Sequence, residues 1–396
     1  MDHSCQTLTS VSTPDPFMVY ANGIYYLTFT SGGNKIEIWS SKTLDSFEES
    51  ARKETIWFVA SYRPASPDLS GTHAYFFHRT PPPGTAHSAD LWAPELHAIF
   101  GRWYIYYAAA HPKHGNKSHR MYVLGGPPAH EDPTQGQWEF LGRIHGMPDQ
   151  WAIDGTVFTL HGELYMVYSG WPLDNYDDSD LMQQLFIMKL DDPTMAADGC
   201  GGPVVISSPE QPWEFSRDGN GDHGINEGPQ FLSSPDGGWK GIVYSCAGSW
   251  THEYKLAVLH YSGGDPLDPR AWPKGQEPLL QAGWGGKGPY GPGHGNFVSL
   301  GGSGGGGGDT LCVFHGTDDP ADGWSNRKAR CQRVFFTEGG PYMGLYCGGG
   351  RDHATMLKAS KGGLMARIRR KLSKRKKRGS ERGGALQTLT ALLEGH

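Results

Sequence analysis

The sequence contains no run of about 18 apolar residues, the length a helix needs to cross a bilayer, so no helical membrane span is expected. Its first residues, MDHSCQTLTSVSTPDPF, lack both a basic n-region and an apolar h-region, and no secretion signal is read there. Cysteine is sparse: Cys5, Cys200, Cys246, Cys312, Cys331 and Cys347 are scattered, without the close pairs of a zinc module. Cys246 and Cys312 fall inside apolar runs and are expected as buried thiols rather than bridges. The cysteines leave the redox compartment open, and localisation with it. A basic surface is missing as well, except at one end. Residues 351–396 hold 13 Lys and Arg against 3 Asp and Glu, leaving 22 against 38 in residues 1–350. An acidic body repels nucleic acid and other polyanions, so a neutral partner fits it better.

What the chain has in excess is glycine, 57 residues, about twice the usual ~7 % share. It also carries 13 Trp and 18 Tyr. Such composition suits a turn-dense β protein. The stretch WAIDGTVFTLHGELYMVYSG, residues 151–170, shows the pattern most openly. An acid, Asp154, precedes a β-prone run; His161-Gly162-Glu163 make a turn; a second run ends in small residues. The same order recurs from Asp15, Glu95, Glu227 and His294, at intervals that leave room for two further strands per unit. A diverged all-β repeat of this size reads as a propeller blade. The expected fold is all-β, a five-bladed propeller over residues 1–350. A separate basic tail follows over 351–396, with Leu364, Ile368 and Leu372 four apart on one face of a potential helix.

Inner strands line a propeller's channel, so polar groups at five equivalent starts should converge at one end of it. Asp15, Asp154 and Glu227 could then form a carboxylate set. Glycoside hydrolysis needs one protonated acid and one ionised carboxylate on opposite sides of the sugar. A third carboxylate raises the acid's pKa, because like charges resist joint ionisation. The acids Asp174, Asp177, Asp178 and Asp180 crowd a loop whose spacing misses the EF-hand pattern, and they read as a solvated rim.

The motifs PDPF, LWAPEL, AIDGTVF and INEGPQF, in that order, resemble glycoside hydrolase family 43, five-bladed propeller enzymes acting on arabinose- and xylose-containing polysaccharides. The resemblance spans roughly residues 12–347. It implies that Asp15 is the general base, Asp154 the residue that tunes pKa and orientation, and Glu227 the general acid of an inverting reaction. It further implies substrate-binding roles for Trp92 and Arg327. His294 is implied to face the channel centre beside a bound ion, with calcium as the expectation. The segments WSNRKARCQRVFF and KLAVLHYSGGDPLDPRAW look nearest to the arabinofuranosidase and exo-arabinanase branch. The function so implied is exo-acting release of α-L-arabinofuranosyl residues from plant cell-wall arabinan or arabinoxylan, with no organic cofactor. A β-xylosidase or arabinanase of the same family, and a propeller that binds glycans without cleaving them, remain open alternatives.

Overall fold

A computed structural model describes residues 4–59, 81–174, 182–218, 221–283, 288–300 and 309–346. The loop 301–308, Asp177, Asp178 and Asp180 of the acidic loop, Cys347 and the basic tail 351–396 lie outside the described residues. Five antiparallel blades follow in chain order. Blade 1 runs Phe17–Ala21, Ile24–Thr28, Lys35–Ser41 and Arg52–Phe58. Blade 2 runs Ala89–Ile99, Arg102–Ala110, Arg120–Pro128 and Glu139–Arg143. Blade 3 is built on Ala152–Leu160, Glu163–Gly170, Met182–Asp192 and Val204–Ser207. Blade 4 has Gly221–Ser233, Lys240–Cys246, Lys255–His260 and the short Leu280–Gln281. Blade 5 has Tyr290–Leu300, Asp309–Thr317 and Lys328–Thr337. Its fourth strand comes from the other end of the described chain: Gln6–Thr7 pairs with Arg330 and Cys331. The repeat pattern alone did not reveal this closure, because a two-residue strand carries no periodicity.

The ring is held together between blades rather than within them. Each neighbouring pair encloses one apolar core, five in all, with the fifth joining blade 5 to blade 1 through Leu8, Met18, Leu27, Phe29, Val313 and Cys331. This explains the alternation that is missing from many strands: both faces of a blade are buried, so Arg102–Ala110 and Glu163–Gly170 read as continuous apolar runs. Cys246 and Cys312 are fully buried thiols, as expected. No described helix is long and apolar enough to cross a membrane.

The inner strands abut one another in a closed ring. Asp90 and Gly291 apart, each has near its start one residue in the left-handed region: Asp15, Ala93, Asp154, Gly228 and His294, with φ of 56°, 41°, 55°, 53° and 50°. Each is followed by Pro or Gly, namely Pro16, Pro94, Gly155, Pro229 and Gly295. In blades 2 to 5 the ladder slips at this point, leaving the pair of residues unmatched as a bulge. A Cβ at Gly155 would lie 2.3 Å from Met166 Cε, and one at Gly295 would lie 2.9 Å from Leu256 Cδ1, so a larger residue at either place would displace those side-chain ends. The bulges correct the register of the repeat. Glu95 lies two residues after its bulge residue and Glu227 one before, so neither is equivalent to Asp15, Asp154 and His294.

One layer below the bulges, Phe17, Glu95, Thr156, Gln230 and Asn296 occupy matching places two residues on. Glu95 is buried, 2.8 Å from His97 Nε2 and hydrogen-bonded by Gln230. Asn296 Oδ1 accepts from the Met18 amide at 2.8 Å. Beneath this layer the channel widens to a cavity of about 350 Å³ lined by Val19, Phe158, Phe231 and Val298 among others.

Deleting residues 4–9 should open the seam between blades 5 and 1. The loss should reach at least ~2 kcal/mol, the scale of burying Leu8 alone, read as a lower urea midpoint. An unchanged midpoint would show that the fourth strand is dispensable.

Candidate functional site

A bulge frees a backbone N–H, and in this ring the freed groups are caught by the preceding blade. His315 Nδ1 of blade 5 accepts from the Asp15 amide at 3.1 Å. Thr30 Oγ1 at the end of the second strand of blade 1 accepts from the Ala93 amide at 2.8 Å. Ser245 Oγ of blade 4 accepts from the His294 amide at 2.7 Å. In blade 3 the acceptor is a carboxylate: Asp154 Oδ2 takes the Gly228 amide at 3.0 Å. Three of the four, Thr30, Ser245 and His315, stand at or just past the small-residue ends of second strands, whereas Asp154 is on the inner strand of blade 3. Those three ends are visible in the sequence as FTSG, YSCAG and FHG, although their polar members were not singled out as site residues.

The structure brings Asp15, Asp154 and Glu227 together at one end of the channel, all three largely buried. Their charges are not alike. Burial would raise the Asp15 carboxyl, but Arg327, His294, His315 and the Thr30 hydroxyl oppose it and hold the value at about 2. Arg327 lies 3.3 Å from Asp15 Oδ1, and Thr30 Oγ1 donates to Oδ2 at 2.7 Å. The histidines contribute little at neutral pH. Burial lowers both, and His315 turns a lone pair on Nδ1 to the Asp15 amide, which only an imidazole unprotonated at that nitrogen can do.

The other two acids go the opposite way. Burial first, then Glu227 and Asp15, raise Asp154 well above its ordinary value. Glu227 is pushed up to about 7, by burial first and by Asp15, against opposing contacts from Tyr254, Arg327 and Ser249. Three carboxylates in one dry site cannot all ionise. The guanidinium selects Asp15 for the charge, and the proton stays with the Asp154–Glu227 pair.

Glu227 is anchored from behind by its neighbour. Asn226 is fully buried; its Nδ2 donates to Glu214 Oε1 at 2.8 Å and its Oδ1 accepts from Ser207 at 2.6 Å. Glu214 also accepts from Tyr244 and from Lys274 Nζ, each at 2.8 Å, so this buried carboxylate is fully matched. In front, the Tyr254 ring packs so closely that a Cβ on Gly293 would lie 2.1 Å from it. Sequence reasoning missed Thr30, Ser245, Tyr254, His315 and the Glu214–Asn226–Lys274 cluster. Only the last had no local signal, since its members come from three distant segments.

The remaining candidates are placed as follows. Arg327 sits against Asp15, with Nε donating to the Trp324 carbonyl at 3.2 Å. Trp92 is half-buried one residue before Ala93, stacked on His119 with ring centres 3.8 Å apart. His294 Nδ1 is 3.4 Å from Asp15 Oδ1. A hard cation such as calcium takes six to eight oxygens. Among the described residues no group of three His, Cys, Asp or Glu side chains is arranged to hold an ion.

The raised Glu227 fixes the sign of a stability effect. A carboxyl with a folded value of about 7 against an ordinary 4.5 favours the fold below pH 4.5, and that contribution is lost as pH rises through 7. Glu227→Gln should match the native protein in melting temperature near pH 4.5 and exceed it above pH 7. A difference independent of pH would contradict the assignment.

Comparison with known proteins agrees with this geometry. The family model for glycosyl hydrolases family 43 matches residues 7–341. An extracellular exo-α-(1→5)-L-arabinofuranosidase of Streptomyces avermitilis is 32 % identical over 270 residues, 65 % of this chain and 50 % of that protein. A protein of the same name from Streptomyces chartreusis is 29 % identical over 281 residues, 70 % of this chain and 73 % of that one. The chain thus spans about half the length of the first of these relatives. Among solved structures, an α-L-arabinofuranosidase from Lactobacillus brevis superposes with a TM-score of 0.66 at 28 % identity, over 84 % of this chain and 93 % of that one. With 335 consecutive residues matched, from the closing strand of blade 5 to its far edge, the chain belongs to glycosyl hydrolases family 43.

Proposed function

We propose that the protein is an inverting, exo-acting α-L-arabinofuranosidase that releases terminal arabinofuranosyl residues from arabinan- or arabinoxylan-type polysaccharides. The observation that carries this reading is the split in protonation: a carboxylate held ionised by Arg327 shares one buried site with a carboxyl that keeps its proton to about pH 7. Those are the two states that inverting glycoside hydrolysis needs. The names of the Streptomyces and Lactobacillus relatives favour arabinofuranose as the sugar.

In this reading Asp15 is the general base. It accepts a proton from a water as that water attacks the anomeric carbon on the face opposite the leaving group. Glu227 is the general acid and gives its proton to the departing glycosidic oxygen, so one proton is gained and one lost across the pair. Asp154 does not reach the reacting bond. Its part is to share the Glu227 proton electrostatically and to hold the Gly228 amide, which fixes the backbone beside the acid. Arg327 neutralises Asp15 and Trp92 forms part of the wall of the sugar pocket.

Two measurements test the assignment. Aryl arabinofuranosides need little help in leaving, so Glu227→Ala should cost them far less than arabino-oligosaccharides, by about 10²-fold or more. Asp15→Ala should damage both equally and regain activity with azide, giving the inverted glycosyl azide. Equal losses on both substrates for both variants would sink the division of roles. In the pH profile of kcat/KM, activity should fall as pH rises through about 7, when the Glu227 proton is lost. Arg327→Met should move the acidic limb upward, because Asp15 then returns toward the ordinary carboxylate range. A side-by-side assay with the aryl β-D-xyloside separates the arabinosidase from the xylosidase.

A further inference from the structure

Trp324 stands out among the described tryptophans. It is 61 % exposed, whereas the others are buried or half-buried. Leaving so large an apolar ring in water is unfavourable, yet this one is held firmly. Its Nε1 donates to Ser249 Oγ at 3.1 Å. Its ring meets Trp250 edge-on, with centroids 5.9 Å apart at 72°, and Trp250 in turn meets His223 edge-on at 5.4 Å. The adjoining Gly323, at a φ of 57°, lets the loop lie against the Trp250 carbonyl. The Trp324 carbonyl accepts from Arg327 Nε at 3.2 Å. An indole fixed at its edge, its nitrogen and its backbone, with open area left over, is an aromatic platform.

Its position says what would lie on it. Ser249, which takes the Trp324 indole hydrogen bond, also lies beside Glu227, whose pKa it lowers. The same short loop therefore joins Trp324 to the residue that protonates the leaving oxygen. In an inverting site the acid stands on the leaving-group side of the sugar and the base on the opposite face, so a surface reached from Glu227 through Ser249 lies on the leaving-group side. Arg327 ties the far end of the turn to Asp15, so the platform's place is fixed relative to both carboxylates.

We propose that Trp324, supported by Trp250 and Ser249, is the stacking surface for the first sugar on the leaving-group side. On this proposal it determines how strongly the protein prefers an oligosaccharide to an aryl glycoside. The chemistry it recognises is the apolar C–H face of a neutral furanose or pyranose ring, stacked without charge. The proposal rests on the hydrolase reading above, and it adds a specificity residue to it.

The test compares native protein, Trp324→Ala and Trp324→Phe on α-1,5-arabinotriose and 4-nitrophenyl α-L-arabinofuranoside. Trp324→Ala should lower kcat/KM for the triose about tenfold, mainly through KM, and change the aryl glycoside less than twofold. Trp324→Phe should recover most of the loss, since the phenyl ring keeps the stacking face but loses the bond to Ser249. In the Glu227→Gln background, triose binding measured by calorimetry should weaken by the same factor on adding Trp324→Ala. Equal effects on the two substrates, no effect on either, or no recovery with Phe would overturn the platform. Native protein that cleaves neither substrate, and Glu227→Gln that binds no triose, would instead overturn the hydrolase reading and the platform with it.

Discussion

The structure depends on what happens to a backbone amide where each inner strand is broken. The left-handed residue that breaks it costs conformational energy when it is not glycine, and strain of that kind persists only where the surroundings fix it. Here the fixing comes from the preceding blade: His315, Thr30, Asp154 and Ser245 accept the N–H groups of Asp15, Ala93, Gly228 and His294. The contact joins neighbouring blades at the channel mouth, where the five apolar cores between them do not reach. The same contact aims Asp15, Asp154 and His294 at the site. The apolar cores close the ring, and these hydrogen bonds tie the site geometry to four of its five seams.

A second constraint follows from burial. Desolvation acts on all three carboxyls in the same direction, so their different states must come from their neighbours. Arg327 is the neighbour that decides, because it touches Asp15 and stays charged at every relevant pH. Asp154 is surrounded by carboxyls and has one backbone donor, which leaves it nothing to balance a charge. Glu227 lies between these extremes, with Tyr254 and Ser249 beside it. The Tyr254 hydroxyl lies beside both Glu227 and Ser245. Behind the site, the matched cluster of Glu214, Lys274, Tyr244 and Asn226 keeps the strand carrying Glu227 in one register.

Much of this was legible in the chain. The polar residue, strand, turn and small-residue ending recurs because every blade solves the same problem, and the count of five and the three acids follow from that recurrence. The register was misread at Glu95 and Glu227. An acid near a blade start was treated as the marker, whereas the true marker is the left-handed residue before Pro or Gly, which in blade 2 is Ala93 and in blade 4 is Gly228. Ala93 carries no polar group and Gly228 no side chain, so a reading keyed to chemistry passed over both. The closing strand Gln6–Thr7 and the Glu214 cluster were hidden for another reason: their partners lie hundreds or tens of residues away, and no local pattern records such pairings.

The central claim is that Asp15 is ionised while burial and like charge hold the Asp154 and Glu227 carboxyls above the ordinary range. Carbon-13 NMR of labelled Asp and Glu carboxyls, assigned with Asp15→Asn, Asp154→Asn and Glu227→Gln, reads it directly. The expected result is an ionised Asp15 signal that stays unmoved down to about pH 3, a Glu227 carboxyl that keeps its proton between pH 5 and 6 and titrates at about 7, and an Asp154 carboxyl raised above the ordinary range. Three ionised carboxylates at pH 5, or a protonated Asp15, would contradict it.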